Sequence, residues 1–444
     1  MHGGTRCRGS EEVESRKMAH PSIALKNPIE TKRSQLAKWL LQMAFKAIGP
    51  APIRLVLENR IEMLPHGATP VATVFIPDLK TLTALAFDPE VAFGEAYVEG
   101  RIQVEGDLAE LMVAAYESWP SGGADRGWYQ WLTSKWMAWW QANSLQGSRE
   151  NIHRHYDLGN DFYKLWLDRE LVYTCAYFPS PSATLEEAQA AKMNYICRKI
   201  QLRSGETVVE AGCGWGSLAL HMARHYGVSV KAFNISREQI LYARQRAAEM
   251  GLAGRVEFIE DDYRNVSGKF DAFVSVGMLE HVGPSHYAEF GKVIHRSVGE
   301  TGRGLLHFIG RNSKGDFSRW IRKRIFPGAY APTPAEVMEI FEPWRYSVLD
   351  VENLRLHYAQ TLRHWLDRFE KSSERVLEMY GPWFQRAWRL YLAGSIAGFR
   401  TGTLQLFQIS FAGAKCQPPL WTRAPLYAET DDSKENVKWK HAMS

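Results

Sequence analysis

Apolar positions change their period along this chain, and the changes mark out its elements. From Ser34 to Ile48 (SQLAKWLLQMAFKAI) they recur at helical spacing, with Lys38 and Lys46 the only charges. Val71–Ile76 (VATVFI) reads as a strand, and Phe93–Gly106 (FGEAYVEGRIQVEG) as strand and turn. Beyond Asn151 short apolar runs alternate with helical segments. Thr184 and Glu187 form a capping box opening a helix through Lys199; Ser236 and Gln239 form another, opening a helix to Met250. Glu206–Glu210, Val228–Asn234, Val256–Glu260, Phe270–Val276 and Gly304–Ile309 read as strands, Ser217–His225 and Ser285–Val298 as helices. Strands alternating with helices of this length predict a doubly wound parallel sheet. Helices starting at Thr333, Leu356 and Trp383 precede a last, antiparallel strand, Leu404–Phe411.

At 444 residues the chain exceeds one ordinary domain, so two are expected. The boundary is placed in 119–150, a linker holding Trp119, Trp128, Trp131, Trp136, Trp139 and Trp140 with Gly122 and Gly123. A smaller domain over 30–118 and a larger one over 151–430 follow, with residues 1–29 and the polar tail 431–444 read as unstructured. With 45% hydrophobic and 23% charged residues, the bulk of the chain supports a real core. A net charge of +5 is small for this length, which argues against a polyanion-binding protein but permits a local basic face. Five scattered cysteines suit neither a disulfide framework nor a zinc site, and a reduced, cytoplasmic setting fits. No metal site is expected. No signal-peptide pattern opens the chain, and no segment reaches the roughly 18 apolar residues that span a bilayer.

The segment Glu210-Ala211-Gly212-Cys213-Gly214-Trp215-Gly216 joins the first strand of the larger domain to its helix. Glycines there let the backbone turn sharply and approach a ligand at the strand ends. The spacing E-x-G-x-G-x-G resembles the S-adenosylmethionine loop of Rossmann-like methyltransferases rather than the G-x-G-x-x-G of dehydrogenases. Glu260-Asp261-Asp262-Tyr263 follows the third strand, where such enzymes commonly grip the adenine. The second strand ends in Asn234-Ile235-Ser236 instead of the usual ribose-binding acid; Asn234 and Gln239 are the available substitutes.

Several blocks, in order and at matching intervals, resemble the cyclopropane-fatty-acid synthase and mycolic acid methyltransferase family. They are IHRHYDLGNDFY (152–163), YTCAYF (173–178), LEEAQAAK (185–192), the glycine loop, ISREQ (235–239), DYR (262–264), SVGMLEHVG (275–283), LHFIG (306–310) and HYAQTL (357–362). The resemblance implies an α/β fold: a Rossmann-like methyltransferase domain with a mostly parallel seven-stranded sheet, plus a smaller N-terminal α+β domain. It also implies methylene transfer from S-adenosylmethionine to the cis double bond of unsaturated phospholipid acyl chains. Alkylating an isolated alkene leaves a carbocation, and a proton must then leave the added methyl for a ring to close. The family is understood to bind bicarbonate for this task, and its ligands carry over to Cys175, Glu280, His307, the backbone of Ile309, and Tyr358. Glu280 would accept the anion's proton or orient His307. Tyr173, Thr174, Glu210, Gly212, Gly214, Asn234, Ser236, Gln239, Asp262 and Tyr263 carry over as cofactor contacts. His153, His155, Tyr156 and Asp157 are assigned to a lid over the cofactor, a capping and packing role being the alternative.

Each residue has an ordinary reading as well. Cys175 alone is more often a small buried hydrophobe, His307 a core histidine and Tyr358 a packed ring. A lone buried carboxylate at Glu280 is costly and harder to dismiss. All five together favour the family assignment.

For a substrate held in a bilayer, three stretches offer attachment. Ser34–Ile48 is either an interfacial helix or a core helix, and the tryptophans of 128–140 either an interface belt or a domain seal. Arg319–Arg324 (RWIRKR) is read as a basic cluster meeting lipid phosphates, with a solvated basic face as the alternative. A peripheral enzyme on the inner face of the membrane is therefore expected, and the resemblance of Phe93–Gly106 to the extra N-terminal domain of bacterial cyclopropane synthases implies that the 30–118 domain serves lipid engagement and dimerisation, hence a homodimer. The competing outcomes are a methyl-branched or methylene product, and N-methylation of a small amine. No nucleic-acid partner is expected, because no Asn-Pro-Pro-Tyr or Asp-Pro-Pro-Tyr element is present.

Overall fold

The computed structural model describes residues 32–58, 61–65, 69–118, 158–315, 318–416 and 422–427. The expected unstructured ends, the tryptophan-rich linker 119–150 and the lid residues His153, His155, Tyr156 and Asp157 lie outside the described residues.

The smaller domain holds α1 (Lys32–Ile48), β1 (Ile53–Leu57), β2 (Ile61–Met63), β3 (Ala72–Ile76), α2 (Leu79–Phe87), α3 (Pro89–Val98), β4 (Gln103–Gly106) and α4 (Leu108–Ser118). Its strands run in the order β2-β1-β3-β4, with β1 and β3 parallel and the outer pairs antiparallel. Helix α1 turns Ala37, Leu40, Leu41 and Ala44 into the core, while Leu36 and Trp39 stay 48% and 50% exposed. Phe93–Gly106 departs from the expected strand and turn, since its first half is helix α3. The Asp88 side chain accepts from the Val91 N–H, and Pro89 occupies the first turn, two local start signals that outweigh the strand-forming residues Phe93, Tyr97 and Val98.

The larger domain begins with α5 (Asn160–Lys164) and α6 (Leu185–Lys199), the latter opened by the full Thr184–Glu187 capping box. Alternation follows as the pattern requires: β5 (Thr207–Ala211), α7 (Ser217–Tyr226), β6 (Ser229–Asn234), α8 (Arg237–Glu249), β7 (Val256–Glu260), β8 (Ala272–Val276), α9 (Leu279–Val282), α10 (Tyr287–Val298) and β9 (Arg303–Gly310). Then come α11 (Arg319–Arg324), α12 (Pro334–Phe341), β10 (Ser347–Asn353), α13 (Arg355–Lys371), α14 (Ser373–Thr401), β11 (Gln405–Ala412) and α15 (Ala424–Tyr427). The seven strands lie in the order β10-β11-β9-β8-β5-β6-β7, parallel except for β11, which runs antiparallel to both neighbours. The strand order reverses next to β5, so the crevice for a ligand opens at its carboxyl end. β10 has no counterpart in the sequence reading, because an edge strand with mostly exposed or half-buried positions carries no apolar run. It is held by Lys199, whose buried ammonium pairs with Asp350 at 3.1 Å and Glu352 at 2.6 Å.

Helix α14 bends at Gly381, where φ is +79°, immediately before Pro382. It packs against both α13 and α4, so it joins the two domains.

Candidate functional site

The crevice starts at the carboxyl end of β5. Gly212, Gly214 and Gly216 all have positive φ (+82°, +54° and +83°), and a Cβ on Gly212 would stand 2.9 Å from Met278 Cβ. Any side chain there would displace the turn from the β8–α9 connection. The turn lines the crevice together with Tyr173, Thr174, Lys192, Glu210, Asn234, Gln239 and Gly277. Asn234 is fixed by its own bonds: its amide donates to the Gly214 carbonyl at 3.2 Å and to Gln239 Oε1 at 2.7 Å. The Gln239 side chain is thus turned to Asn234, and only half of the expected capping box forms, with Ser236 Oγ accepting from the Gln239 N–H at 3.5 Å.

Ser236, Asp262 and Tyr263, expected as cofactor contacts, are not part of the crevice lining. Ser236 is a helix cap. Asp262 accepts from the Arg264 N–H at 2.9 Å and pairs with its guanidinium at 3.1 Å. The Tyr263 ring meets Phe290 edge-on at 5.2 Å.

Lys192 is a crevice residue to which the sequence reading gave no role. Its ammonium is buried and donates to Thr174 Oγ1 at 2.9 Å. Burial pulls it down to about 8, opposed by Asp168, Cys175 and Glu210. Burial pushes Glu210 the other way, up to about 8, with Lys192 opposing. The available signal was a lysine on the same face of α6 as buried Gln189 and Met193, where a cation needs a partner.

The strip Tyr173–Phe178 is stitched to four elements. A Cβ on Gly277 would meet Thr174 Cγ2 at 2.8 Å, which sets the strip against the end of β8. Gln189 Nε2 of α6 donates to the Thr174 carbonyl at 2.9 Å. On α13, Thr361 Oγ1 accepts from the Ala176 N–H and His357 Nδ1 from the Phe178 N–H, both at 3.0 Å. The Tyr173 and Tyr391 hydroxyls, the latter on α14, are 2.9 Å apart. Cys175 is fully buried; its thiol donates to the Ala176 carbonyl at 3.1 Å, and burial pushes it up so that it stays protonated.

Glu280 projects from α9 toward β9, where its Oε1 accepts from the Ile309 N–H at 2.6 Å. Its Oε2 is buried and has no hydrogen-bond partner among the described residues. Burial pushes the carboxyl up to about 7, against the opposing pull of the Ile309 amide. Two residues before Ile309, the His307 ring is buried and held well below its usual range, so it is neutral. Gln408, its register partner on β11, lies with Nε2 3.1 Å from His307 Nδ1. With Gln408 donating, the ring proton sits on Nε2, which has no partner among the described residues. Two expectations are corrected here: Glu280 does not hydrogen-bond His307, and the Ile309 amide is already engaged by Glu280.

Beyond this point lies a cavity of about 1470 Å³ lined from both domains, with Glu280, Ile309 and Tyr358 on its wall. Cys175 and His307 are not part of that lining. Tyr173, Thr174, Gly277 and His281 line both the crevice and the cavity, and so form the junction between them. Burial pulls His281 down to about 4, which keeps it neutral.

The mycolic acid cyclopropane synthetase family model matches residues 143–409, well over half of the chain. The chain belongs to the mycolic acid cyclopropane synthetase family. A probable fatty acid methyltransferase of Pseudomonas putida is 33% identical over 85% of this chain and 96% of its own length. The cyclopropane-fatty-acyl-phospholipid synthase of Escherichia coli K12 is 38% identical over 58% of this chain and 66% of that protein. Among solved structures, a cyclopropane synthase of Mycobacterium tuberculosis superposes with a TM-score of 0.58 at 28% identity, covering 61% of this chain and all (100%) of that one. A mycolic acid cyclopropane synthase complexed with SAH and CTAB gives 0.57, also at 28%, over 59% and 97%. These findings make the chain an S-adenosylmethionine-dependent methyltransferase. A separate model, for a domain of unknown function, matches residues 45–122.

In this cyclopropane synthetase relative the basic segment Arg319–Arg324 is engaged across the domain boundary. Arg319 pairs with Asp88 (2.5 Å) and Glu90 (3.4 Å), and Glu95 takes both Lys323 (3.4 Å) and Arg324 (2.5 Å). Trp320 is buried against Gly94, where an added Cβ would fall 2.4 Å from the indole. The segment is an interdomain latch, and Arg319 and Arg324 are committed to protein carboxylates. No helix among the described residues is long and apolar enough to cross a membrane.

Proposed function

We propose that this chain adds a methylene from S-adenosylmethionine to the cis double bond of unsaturated phospholipid acyl chains, forming a cyclopropane ring with bicarbonate as base. The observation that carries this reading is the junction of Tyr173, Thr174, Gly277 and His281, where the glycine-turn crevice meets a cavity far larger than a small amine needs. At about 1470 Å³ the cavity exceeds an acyl chain of about 18 carbons, which takes roughly 500 Å³ at the ~30 Å³ of a liquid water per methylene.

The residues present fit both S-adenosylmethionine and bicarbonate. The glycine turn is a cradle that a Cβ would fill, and Glu210 Oε2 is a buried, unpartnered acceptor suited to a cationic amino acid group. Glu280 Oε2 and His307 Nε2 are likewise buried and unpartnered among the described residues, one an acceptor and one a donor, as a protonated oxyanion requires. When bound, S-adenosylmethionine supplies the methyl group, and bicarbonate supplies a small base for a proton of that methyl. The chain does the rest. Glu280 and Tyr358 would hold the anion from the cavity wall, and His307 and Cys175 would support them from behind it. Neutral His281 adds no positive charge beside a sulfonium or a developing carbocation. Methyl transfer leaves the sulfur its electron pair and one alkene carbon positive; losing a proton from the new methyl lets its electrons close the ring.

Attachment to the bilayer is assigned to α1, whose outward Leu36 and Trp39 lie beside exposed Lys38. A methyl-branched or methylene product is the second reading, favoured by the near full-length match to a probable fatty acid methyltransferase. The test is incubation with methyl-labelled S-adenosylmethionine and vesicles of an unsaturated phospholipid, followed by mass spectrometry and proton NMR of the fatty esters. A gain of one CH2 with cyclopropane resonances supports the first reading, and an exocyclic methylene the second. Unmodified chains alongside methylation of an added amine would overturn both.

A further inference from the structure

The crevice holds two buried charges of opposite sign that do not satisfy each other. Lys192, on α6, and Glu210, near the end of β5, both line it. Among the described residues of that lining they are the one cation and the one carboxylate, because burial keeps His281 neutral. Taking either charge out of water is costly unless it is paired. Yet Glu210 Oε2 is buried with no hydrogen-bond partner among the described residues, and the Lys192 ammonium donates instead to Thr174 Oγ1 at 2.9 Å. Asp168, the other carboxylate whose charge Lys192 feels, spends its oxygens on the Val172 and Glu170 N–H groups at 2.9 and 3.0 Å. A lysine kept only to balance buried charge would close onto one of these carboxylates. An ammonium has three protons, so Lys192 has donors left for a ligand. Thr174 accepts from Lys192 and so keeps its own hydroxyl proton to donate.

Opposite charges held apart in one crevice match a zwitterion. Resting on the S-adenosylmethionine reading above, we propose that Lys192 is the positioning residue for the amino acid end of the cofactor and holds its α-carboxylate. Thr174 donates to the same carboxylate, and Glu210 takes the α-ammonium on the other side. Both buried charges then gain the partner that the protein withholds. Thr174 lines the cavity as well as the crevice, so the residue that anchors the carboxylate also bounds the space where the acyl chain reacts. A nucleoside without an amino acid end leaves both charges unmet, which makes this pair a selectivity device for the intact cofactor.

The test uses the full chain and calorimetric binding of three adenosyl thioethers. S-adenosylhomocysteine has both charges, its decarboxylated analogue keeps only the amine, and methylthioadenosine has neither. The wild-type chain is expected to bind S-adenosylhomocysteine about tenfold or more tighter than the decarboxylated analogue, as a lost charge-assisted hydrogen bond requires. Lys192→Met removes the charge and keeps an unbranched apolar stem suited to a buried site. In it that preference should shrink to within about twofold, while methylthioadenosine affinity changes by less than about twofold and so reports an intact crevice. Glu210→Gln should instead weaken the two amine-bearing ligands alike. An equal loss of all three ligands in Lys192→Met, or no loss, would reduce the lysine to a support of the fold and overturn the proposal. So would a wild-type chain that binds S-adenosylhomocysteine and its decarboxylated analogue equally, whatever the variant does. A wild-type chain that binds none of the three fails the S-adenosylmethionine reading itself, and the proposal with it.

Discussion

The crevice and the cavity meet at four residues, yet they are built in opposite ways. The crevice is the more local of the two: Glu210, Gly212 and Gly214 belong to one strand and turn and Asn234 and Gln239 to the next strand and helix, with Tyr173, Thr174, Lys192 and Gly277 closing it, all within one domain. The cavity draws on β1, β3, α4, α9, β9, α13 and α14, segments hundreds of residues apart. A short turn fixes its geometry through backbone conformation, whereas a wall assembled from both domains depends on the whole fold being in place. The cofactor half should therefore respond to single backbone changes, and the lipid half to chemistry at the junction and to the domain contact.

The sharpest separation comes from Glu280. Glu280→Gln keeps the shape and the bond from Ile309 but removes the acceptor charge, so turnover should fall about 100- to 10,000-fold, the range for a lost general acid–base group. Cofactor affinity, measured by calorimetry, should change by less than about threefold, because Glu280 is not part of the crevice lining. The pH profile adds a sign. Burial pushes this carboxyl up to about 7, and the ionised form is the one that accepts a proton, so activity should fall as pH drops through that value. Loss of that limb in the Glu280→Gln residual rate would tie it to this residue; an unchanged limb would assign it elsewhere.

Gly212→Ala should act on the other half. At φ +82° a side chain strains the backbone by about 1–2 kcal/mol, and the Cβ also meets Met278. Cofactor affinity should weaken about tenfold or more, while binding of a non-reacting lipid to the cavity, read by fluorescence, stays within about twofold. Equal losses of both ligands would erase the distinction between a local and an assembled half.

The smallest effect is expected at the latch. Glu95→Gln removes the partner of Lys323 and Arg324 on a partly exposed surface, where such pairs contribute about 0–1 kcal/mol. The melting temperature should drop by no more than about 4 °C and vesicle binding should hold steady. Vesicle affinity that rises strongly in this variant would instead mean that the freed basic cluster binds phosphate.

The same contrast explains what the sequence revealed. The glycine turn, the parallel strands and the Thr184 cap are short-range patterns, and they stand where the periodicity put them. Tyr173, Thr174, Glu280 and Tyr358 line one cavity, yet no local pattern brings Ala176 to Thr361 or Tyr173 to Tyr391. What stayed hidden was long-range. Lys192 gains its role only from a fold that buries it beside Glu210, and Arg319–Arg324 reads as a free basic face until α3 brings Asp88, Glu90 and Glu95 to it. Phe93–Val98 misled because aromatic and β-branched residues suggest a strand where the Asp88–Pro89 start dictates a helix.

The central claim is that a proton leaves the transferred methyl group inside the cavity. The most direct measurement supplies trideuteromethyl S-adenosylmethionine with unsaturated phospholipid vesicles and counts deuterium in the product chains by mass spectrometry. Chains that gain one carbon and keep two of the three deuteriums are the expected result. Transfer of all three deuteriums, or transfer only to something other than an acyl chain, would contradict it.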